Sequence, residues 1–303
     1  MPSSVDPSIV EQRIVEAAAV LPDEGAVTGW AALRWCGAAW FGGFRGDGRT
    51  PLRVPLVMCG GEDARPQAGF TISHEHLRLG EVRIADGLPI TSSERSALYE
   101  MRHAGSLEDA VVAADMAMQA DLVTPHELAS YAATLGTWTG IPQAREALRL
   151  ACENSWSPQE TRLRLLWVRL AGLPQPLCNV PVFDHAGRHI GTPDLMDPVA
   201  GVVGEYEGVV HLDRGRRGHD VRREQAFRAV GLEYFPVVGN DWSDQESIAA
   251  RIRAAYARAA GWSAIERAWT IEPPSWWVPT DTVARRRALS SSESERLLRY
   301  RSA

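Results

Sequence analysis

The chain has 303 residues, of which 45% are hydrophobic and 23% are charged, a composition that is too apolar for general disorder. Its length is about twice that of a typical domain of roughly 150 residues, which predicts two domains. No apolar run approaches the roughly 18 residues that cross a bilayer, and the first residues lack the basic start and apolar core of a signal peptide. We therefore expect a cytoplasmic protein without a membrane partner.

The four cysteines are scattered without a CxxC pair, at Cys36, Cys59, Cys152 and Cys178. This spacing argues against a structural zinc site and against a disulfide framework, and it is consistent with a reducing compartment. The sequence contains no lysine, so every basic residue apart from histidine is an arginine. Any mechanism that requires a lysine side chain is therefore excluded.

The net charge of −6 by itself disfavours nucleic acid as a partner, but the charges are unevenly distributed. Residues 1–210 hold 16 basic and 26 acidic residues, whereas residues 211–303 hold 16 basic and 12 acidic residues. A local basic surface is therefore compatible with the acidic total.

Residues 1–142 are predicted to form an α+β module. Hydrophobic periodicity and capping residues predict these elements in chain order: helices over 8–20 and 28–39, strands over 52–59, 69–73 and 81–84, and helices over 92–102, 106–120 and 125–135. The last two helices form either a helix-turn-helix or an ordinary helical hairpin, and their low basic charge favours the hairpin. Glycine and proline over 137–142 predict a domain boundary.

Residues 143–262 are predicted to form a second domain. Its predicted elements are a helix that begins at Ser157, strands over 178–183, 188–195 and 199–206, a helix over 218–230, a strand over 233–238 and a helix over 243–260. The resulting order is α-β-β-β-α-β-α. Residues 263–303, with their tryptophans and prolines, are predicted to lie across the body as a strap that ends in a tail. We expect residues 290–294 of this tail to be loose.

Acidic residues concentrate on two of these strands. Because alternate side chains of a strand share a face, Glu205 and Glu207 should project to the same side. Asp194 lies on the preceding strand, and a hairpin would bring it within reach of Glu205. Three buried carboxylates would repel one another, and a divalent cation would relieve that repulsion. The alternative is that these side chains form the solvated face of an edge hairpin.

The order of elements, together with Thr192-Pro193-Asp194 and Glu205-Tyr206-Glu207, resembles the PD-(D/E)XK nuclease superfamily. More specifically, residues 157–240 resemble the restriction-endonuclease-like domain related to very-short-patch repair endonucleases. The matching stretches are Gly187-Arg188, Pro193-Asp194-Leu195, Glu205-Tyr206-Glu207-Gly208, His211, Arg222-Arg223, Phe227, Gly231 and the helix start Ser157-Pro158-Gln159-Glu160. The resemblance implies an α/β restriction-endonuclease-like domain with an α-β-β-β-α-β core.

The region over 27–128 resembles the AbiEi-antitoxin-like module that precedes this domain in actinobacterial proteins of unknown function. This second resemblance suggests a protein partner for the N-terminal module. Together the two resemblances imply a DNA endonuclease that acts in repair, in defence or in a toxin–antitoxin context. The rival expectations are a catalytically inactive regulator that binds DNA or protein, and an adaptor that binds only a protein.

The nuclease resemblance assigns roles to the acidic residues. Asp194 and Glu205 would be the main ligands of Mg²⁺ or Mn²⁺, with Glu207 binding directly or through water and Glu160 closing the cluster. Two departures from the family pattern weaken this expectation: Glu207 replaces the family's lysine, and Glu205 is longer by one carbon than the usual aspartate. Without a lysine, His211 is the candidate base or transition-state stabiliser, because its titration range suits proton transfer. His219 is the second candidate.

Arginines and tryptophans are the remaining candidates for DNA contacts. The arginines of one loop and helix could contact phosphates, or they could form a solvated helix face: Arg214, Arg216, Arg217, Arg222, Arg223 and Arg228. Trp242 and the pair Trp276-Trp277 could stack on bases, or they could pack within the core or the strap.

Overall fold

The computed structural model describes residues 9–58, 67–208, 214–261 and 267–299, and over 214–221 it describes the helical backbone without the side chains. The chain divides into two compact units, Met1–Glu153 and Asn154–Ala303. None of the helices in the described part of the chain is long and apolar enough to cross a membrane.

The N-terminal unit combines a sheet with helices. The helices are α1 (Val10–Ala18), α2 (Gly29–Trp35), α3 (Ser93–His103), α4 (Leu107–Gln119), α5 (Pro125–Thr134) and α6 (Ile141–Leu150), and the strands are β1 (Gly25–Val27), β2 (Val54–Met58), β3 (Phe70–Ser73), β4 (Val82–Ala85) and β5 (Leu88–Thr91). The sheet has the order β3-β2-β1-β5-β4. It is mixed, because β1 pairs antiparallel with β2 and parallel with β5.

The centre of this sheet was not predicted from sequence. Strand β1 has three residues, all buried, and is too short to show a period of two, yet it pairs with both β2 and β5. The helices α3, α4 and α5 begin where their capping residues predict, because Ser92, Ser106 and Thr124 each accept a hydrogen bond from a backbone N–H of the first turn. Local capping signals therefore located these helices better than periodicity located the strands.

The second unit begins later than the predicted boundary at residue 142. Helix α6 contacts α3, α4 and α5, so its residues belong to the N-terminal unit. The predicted strap over 263–303 belongs to the second unit, and Thr270 forms an antiparallel bridge with Phe183.

The described part of the C-terminal unit contains two sheets and several helices. Its elements are α7 (Pro158–Arg169), β6 (Leu177–Cys178), β7 (Val182–Phe183), β8 (His189–Gly191), β9 (Leu195–Asp197), β10 (Val202–Glu207), α8 (Arg214–Ala229), β11 (Glu233–Val238), a 3₁₀ turn (Gly239–Ser243), α9 (Gln245–Ala259), α10 (Val283–Arg287) and α11 (Ser291–Leu297). The main sheet has the order β11-β10-β9-β6, and β7 pairs with β8 in a separate sheet. Strand β10 runs parallel to β11 and antiparallel to β9. The hydrophobic core of the C-terminal unit includes Val203, Phe227 and Tyr234.

Two predicted strands are each interrupted. The strand predicted over 178–183 divides into β6 and β7 after Asn179, whose φ of 50° is left-handed and cannot continue a strand. The strand predicted over 188–195 divides into β8 and β9, which lie in different sheets. The observed order from α7 to α9 is therefore α-β-β-β-β-β-α-β-α. Residues 290–294, expected to be loose, instead begin α11, since Ser290 and Glu293 form a capping box.

The architecture is thus a mixed α/β arrangement in which each unit carries one main mixed sheet and flanking helices. It is compatible with the α+β class predicted for the N-terminal module. The restriction-endonuclease-like assignment of the second unit remains a prediction.

Candidate functional site

Strands β9 and β10 form the predicted hairpin, with Leu195 paired to Gly204. This register places Asp194 beside the next residue of β10, which is Glu205. Oδ2 of Asp194 accepts a hydrogen bond of 2.7 Å from the backbone N–H of Tyr206. Backbone pairing therefore brings the two main predicted ligands together.

Glu205 and Glu207 project to the same side of β10, as the alternation of strand side chains predicts. The hydroxyl of Tyr234 shows this, because it lies 3.1 Å from Oε2 of Glu205 and 3.3 Å from Oε1 of Glu207. Tyr234 belongs to the neighbouring parallel strand β11, where it pairs with Val203. Burial and the two carboxylates raise the pKa of Tyr234, so the phenol stays protonated and can donate a hydrogen bond.

Glu160 reaches the cluster from the first turn of α7. Its backbone N–H donates to the Ser157 side chain, which caps the helix. Its Oε2 accepts hydrogen bonds of 2.9 Å from the backbone N–H of Trp156 and 2.7 Å from Nδ2 of Asn179. Asn179 has the left-handed backbone conformation described above. Its side chain contacts Glu160, and its backbone N–H donates to the carbonyl of Asp194 at the edge of the main sheet.

The pKa values of these carboxyls are raised. Burial, followed by repulsion from Asp194, raises the pKa of Glu160 to about 8. Burial also raises the pKa of Asp194 to about 6, against the lowering effects of the Tyr206 N–H and Arg223. The pKa of Glu205 rises to about 8 because burial and the charges of Asp194 and Glu207 outweigh the attraction of Arg223. Burial and mutual repulsion therefore disfavour the charged form of each of these carboxyls, and nearby positive charge favours it.

Helix α8 supplies positive charge through Arg223. Its Nη2 lies 2.7 Å from Oε1 of Glu205, and the side chain of Arg223 is 32% exposed whereas that of Glu205 is 9% exposed. The same Nη2 donates to the carbonyl of Thr192. Arg223 was predicted either to contact DNA phosphates or to form part of a solvated helix face. In the structure it pairs with Glu205, and its contact with DNA stays a prediction.

Oxygen ligands of this kind suit a hard divalent cation. Among the residues that the structure describes, no group of three His, Cys, Asp or Glu side chains is placed to hold a metal ion. Mg²⁺ commonly takes only one or two carboxylates, with water and substrate phosphate as its other ligands. Asp194 and Glu205 are a donor pair of this type, so the chemistry of the site fits such an ion.

Some of the predicted site residues lie outside the described part of the chain. His211 lies there, and so do the side chains of Arg214, Arg216, Arg217 and His219. Arg222 is described and exposed on α8. Arg228 is described as well, and it pairs with Glu224 at 2.8 Å. The structure therefore bears on the predicted carboxylates and on three of the predicted arginines.

Three side chains near the cluster were missed by sequence reasoning. Tyr234 and Asn179 contact the acidic groups directly. The third side chain is His189, whose pKa is lowered by burial and by the nearby positive charge of Arg223. The Nε2 of His189 lies 3.0 Å from the hydroxyl of Thr192. Only Asn179 carried a sequence signal, because asparagine tolerates the left-handed backbone conformation that interrupts a strand.

Comparison with known proteins adds no assignment to this geometry. No family model matches the chain, and searches of the curated proteins and of the solved structures give no significant match.

Proposed function

We propose that the C-terminal unit hydrolyses phosphodiester bonds of DNA with the help of a divalent cation, Mg²⁺ or Mn²⁺. The observation that supports this proposal is the convergence of Glu160, Asp194 and Glu205, three carboxyls with raised pKa values, around one strand hairpin. Ionised carboxyls are costly to bury without a cation, and carboxyls with strongly raised pKa values cluster at functional sites. The resemblance to PD-(D/E)XK nucleases supports the same assignment.

Asp194 and Glu205 would hold the cation, and Glu207 and Glu160 would support them from either side. A cation bound there supplies a Lewis acid for the phosphate and lowers the pKa of a water molecule. The hydroxyl of Tyr234 lies within hydrogen-bond distance of Glu205 and Glu207 and can donate to either of them in turn. The guanidinium of Arg223 holds Glu205 and is of the type that binds phosphate oxygens. His211 remains the proposed proton acceptor in the absence of any lysine.

Two further proposals follow from the same resemblances. The N-terminal unit would bind a protein partner, as its likeness to AbiEi-antitoxin-like modules suggests. A DNA substrate also implies a cytoplasmic location.

Calorimetric titration of Mn²⁺ and Mg²⁺ into the full chain tests the cation site. We expect binding to the wild-type protein, and no binding to Glu205→Ala or Asp194→Asn. Glu246→Gln is the matched control, because it removes an exposed carboxylate from α9 of the same unit. Equal affinity in the wild type and in Glu205→Ala would contradict the proposed site.

Cleavage assays test the reaction itself. We expect Mn²⁺-supported nicking of DNA that Asp194→Asn abolishes and that His211→Ala lowers by roughly 100-fold, the range for one acid–base group. Single-stranded, duplex, mismatched and branched DNA should all be tried. A wild-type protein that cleaves none of them with either metal would contradict the nuclease proposal.

A specific observation favours a second candidate, a regulator that uses a nuclease fold without catalysis. Arg223 lies 2.7 Å from Glu205 and thereby supplies from the protein part of the positive charge that a cation would otherwise bring. In this case DNA would bind without any divalent ion, and no titration heat would be seen with Mn²⁺. The calorimetric experiment therefore separates the two candidates.

A further inference from the structure

A cleft of about 600 Å³ lies within the C-terminal unit, beside the carboxylate cluster. Its size falls in the range of roughly 300–1,000 Å³ that is usual for small-molecule sites. Three residues connect the cleft to the cluster, because the cleft is lined by Trp156, Asn179 and Thr192. The backbone N–H of Trp156 and the side-chain amide of Asn179 both donate to Glu160. The carbonyl of Thr192 accepts a hydrogen bond from Arg223, which pairs with Glu205. The cleft and the cluster are therefore adjoining parts of one site.

The cleft is lined by aromatic rings from two parts of the chain. Trp156 precedes α7, whereas Trp276 and Trp277 come from the segment between α9 and α10. The rings of Trp276 and Trp277 are 5.7 Å apart at an angle of 70°, and Trp277 also packs on Phe183, with ring centres 5.1 Å apart. Trp277 is thus anchored by packing, while Trp276 is 59% exposed. An exposed ring held beside a cleft is a surface on which another flat ring can stack.

Asn179 forms part of the wall between the cleft and Glu160. The residue is 3% exposed, and its Nδ2 donates to Glu160 and to the backbone carbonyl of Asn154. These two hydrogen bonds fix its side chain, so this wall of the cleft is held in place by the carboxylate cluster.

Charged side chains accompany the aromatic lining. Arg285, Arg296 and Asp281 line the cleft, and Arg285 pairs with Asp281 at 2.6 Å. A ligand with a flat ring and a negatively charged backbone matches the exposed ring of Trp276 and the two arginines. A nucleotide has both features.

We infer that this cleft receives an unpaired nucleobase of the DNA strand whose phosphate lies at the carboxylate cluster. The inference rests on the proposed function, and it specifies the substrate as DNA with a single-stranded or unstacked nucleotide. In a closed duplex the bases stack on one another and their faces cannot reach Trp276. Stacking on aromatic side chains is typical of proteins that bind single strands.

Fluorescence anisotropy in EDTA tests the inference without requiring metal or cleavage. The probes are a labelled deoxythymidine oligonucleotide and an oligonucleotide of the same length in which abasic spacers replace the central nucleotides. Both present the same phosphates, so only the bases differ. We expect the wild type to bind the complete strand about tenfold more tightly, the effect of one stacked base.

Replacement of Trp276 should remove this preference. Trp276→Ala is expected to bind both oligonucleotides alike, and Trp276→Phe should retain most of the preference because it keeps an aromatic face. Trp40→Ala is the matched control, since Trp40 is a similarly exposed tryptophan (49%) in the N-terminal unit. Circular dichroism would verify that each variant is folded.

Equal binding of both oligonucleotides by the wild type would overturn the inference, as would a full preference in Trp276→Ala. Failure to bind either oligonucleotide would overturn it as well. A base preference in a protein that binds no metal and cleaves no DNA would leave the inference standing and contradict only the proposed hydrolysis. Cleavage of DNA by a protein without any base preference would support the proposed hydrolysis and overturn the inference about the cleft.

Discussion

The guanidinium Nη2 of Arg223 lies 2.7 Å from Oε1 of Glu205, so a positive charge of α8 enters the carboxylate cluster of the main sheet. Burial and the charges of neighbouring acids raise the pKa of Glu205 even though Arg223 lowers it. Arg223 therefore offsets only part of the unfavourable electrostatics. We therefore expect the cluster to respond to substitution, to pH and to cations.

Removal of Arg223 should destabilise the protein in a manner that cations reverse. We expect Arg223→Met to lower the free energy of unfolding at pH 8 by about 2 kcal/mol, less than the full penalty for breaking a buried pair because Arg223 is partly exposed. Mg²⁺ should raise the melting temperature of this variant more than that of the wild type. Thermal denaturation with and without Mg²⁺ provides the measurement.

The control for this prediction is Arg188→Met. Arg188 pairs with Asp184 at 2.9 Å, but its side chain is 84% exposed, so its loss should change stability by no more than about 0.5 kcal/mol. An equal loss of stability in both variants, with no response to Mg²⁺, would show that the cluster does not attract cations.

Stability should fall as the pH rises from about 4.5 to about 8. Glu160 has a pKa of about 8 in the folded protein, above its ordinary value of 4.5. Within this window the folded state retains a proton that the unfolded chain releases, so unfolding becomes easier with increasing pH and the effect levels off above pH 8. Melting temperatures across pH 5 to 9 would reveal the slope.

Glu160→Gln should reduce the slope of this pH profile, because the amide stays neutral and its oxygen can still accept from Trp156 and Asn179. Glu246→Gln, on the exposed surface of α9, should leave the profile unchanged. A residual slope is expected from Glu205, Asp194 and Glu100, since burial raises their pKa values to about 8, 6 and 7. Parallel profiles for the wild type and Glu160→Gln would contradict the assignment of the slope to Glu160.

Gly204 should tolerate no larger side chain. A Cβ at this position would lie 2.3 Å from Cζ of Phe235, and Phe235 is 3% exposed and packs on Trp167. Gly204→Ala is therefore expected to cost about 1–3 kcal/mol and to weaken metal binding by displacing the adjacent Glu205. Urea denaturation and calorimetry measure the two effects.

Gly208→Ala is the matched control, because no atom of the residues described around it lies within 4 Å of a Cβ at Gly208. It follows β10 at the opposite end of the acidic pair and should change stability by less than about 0.5 kcal/mol. If both alanine variants behaved like the wild type, Phe235 would not be packed against β10 as described.

Arg222 should contribute to DNA binding through its charge alone. It is exposed on α8, so Arg222→Gln is expected to flatten the slope of log affinity against log salt by about one unit. Arg149→Gln serves as the control, since Arg149 is 72% exposed in the N-terminal unit. An unchanged slope in Arg222→Gln would assign Arg222 to ordinary surface.

Local signals in the sequence were sufficient for several elements of the site. Ser157 marked the start of α7 and so located Glu160, because a cap acts within one turn. The alternation of strand side chains placed Glu205 and Glu207 on one face, and a short turn between two strands placed Asp194 beside Glu205. These relationships depend on residues that are close in the chain.

The surroundings of the cluster were decided by tertiary structure. Tyr234 reaches the acids because β11 returns parallel to β10 after α8, and Arg223 reaches Glu205 because of where α8 packs. The short strands β1 and β6 exist only because longer neighbours pair with them. Pairing across a long connection and packing between elements leave no periodic trace in the sequence, so the acidic residues could be predicted but their hydrogen-bond and charge partners could not.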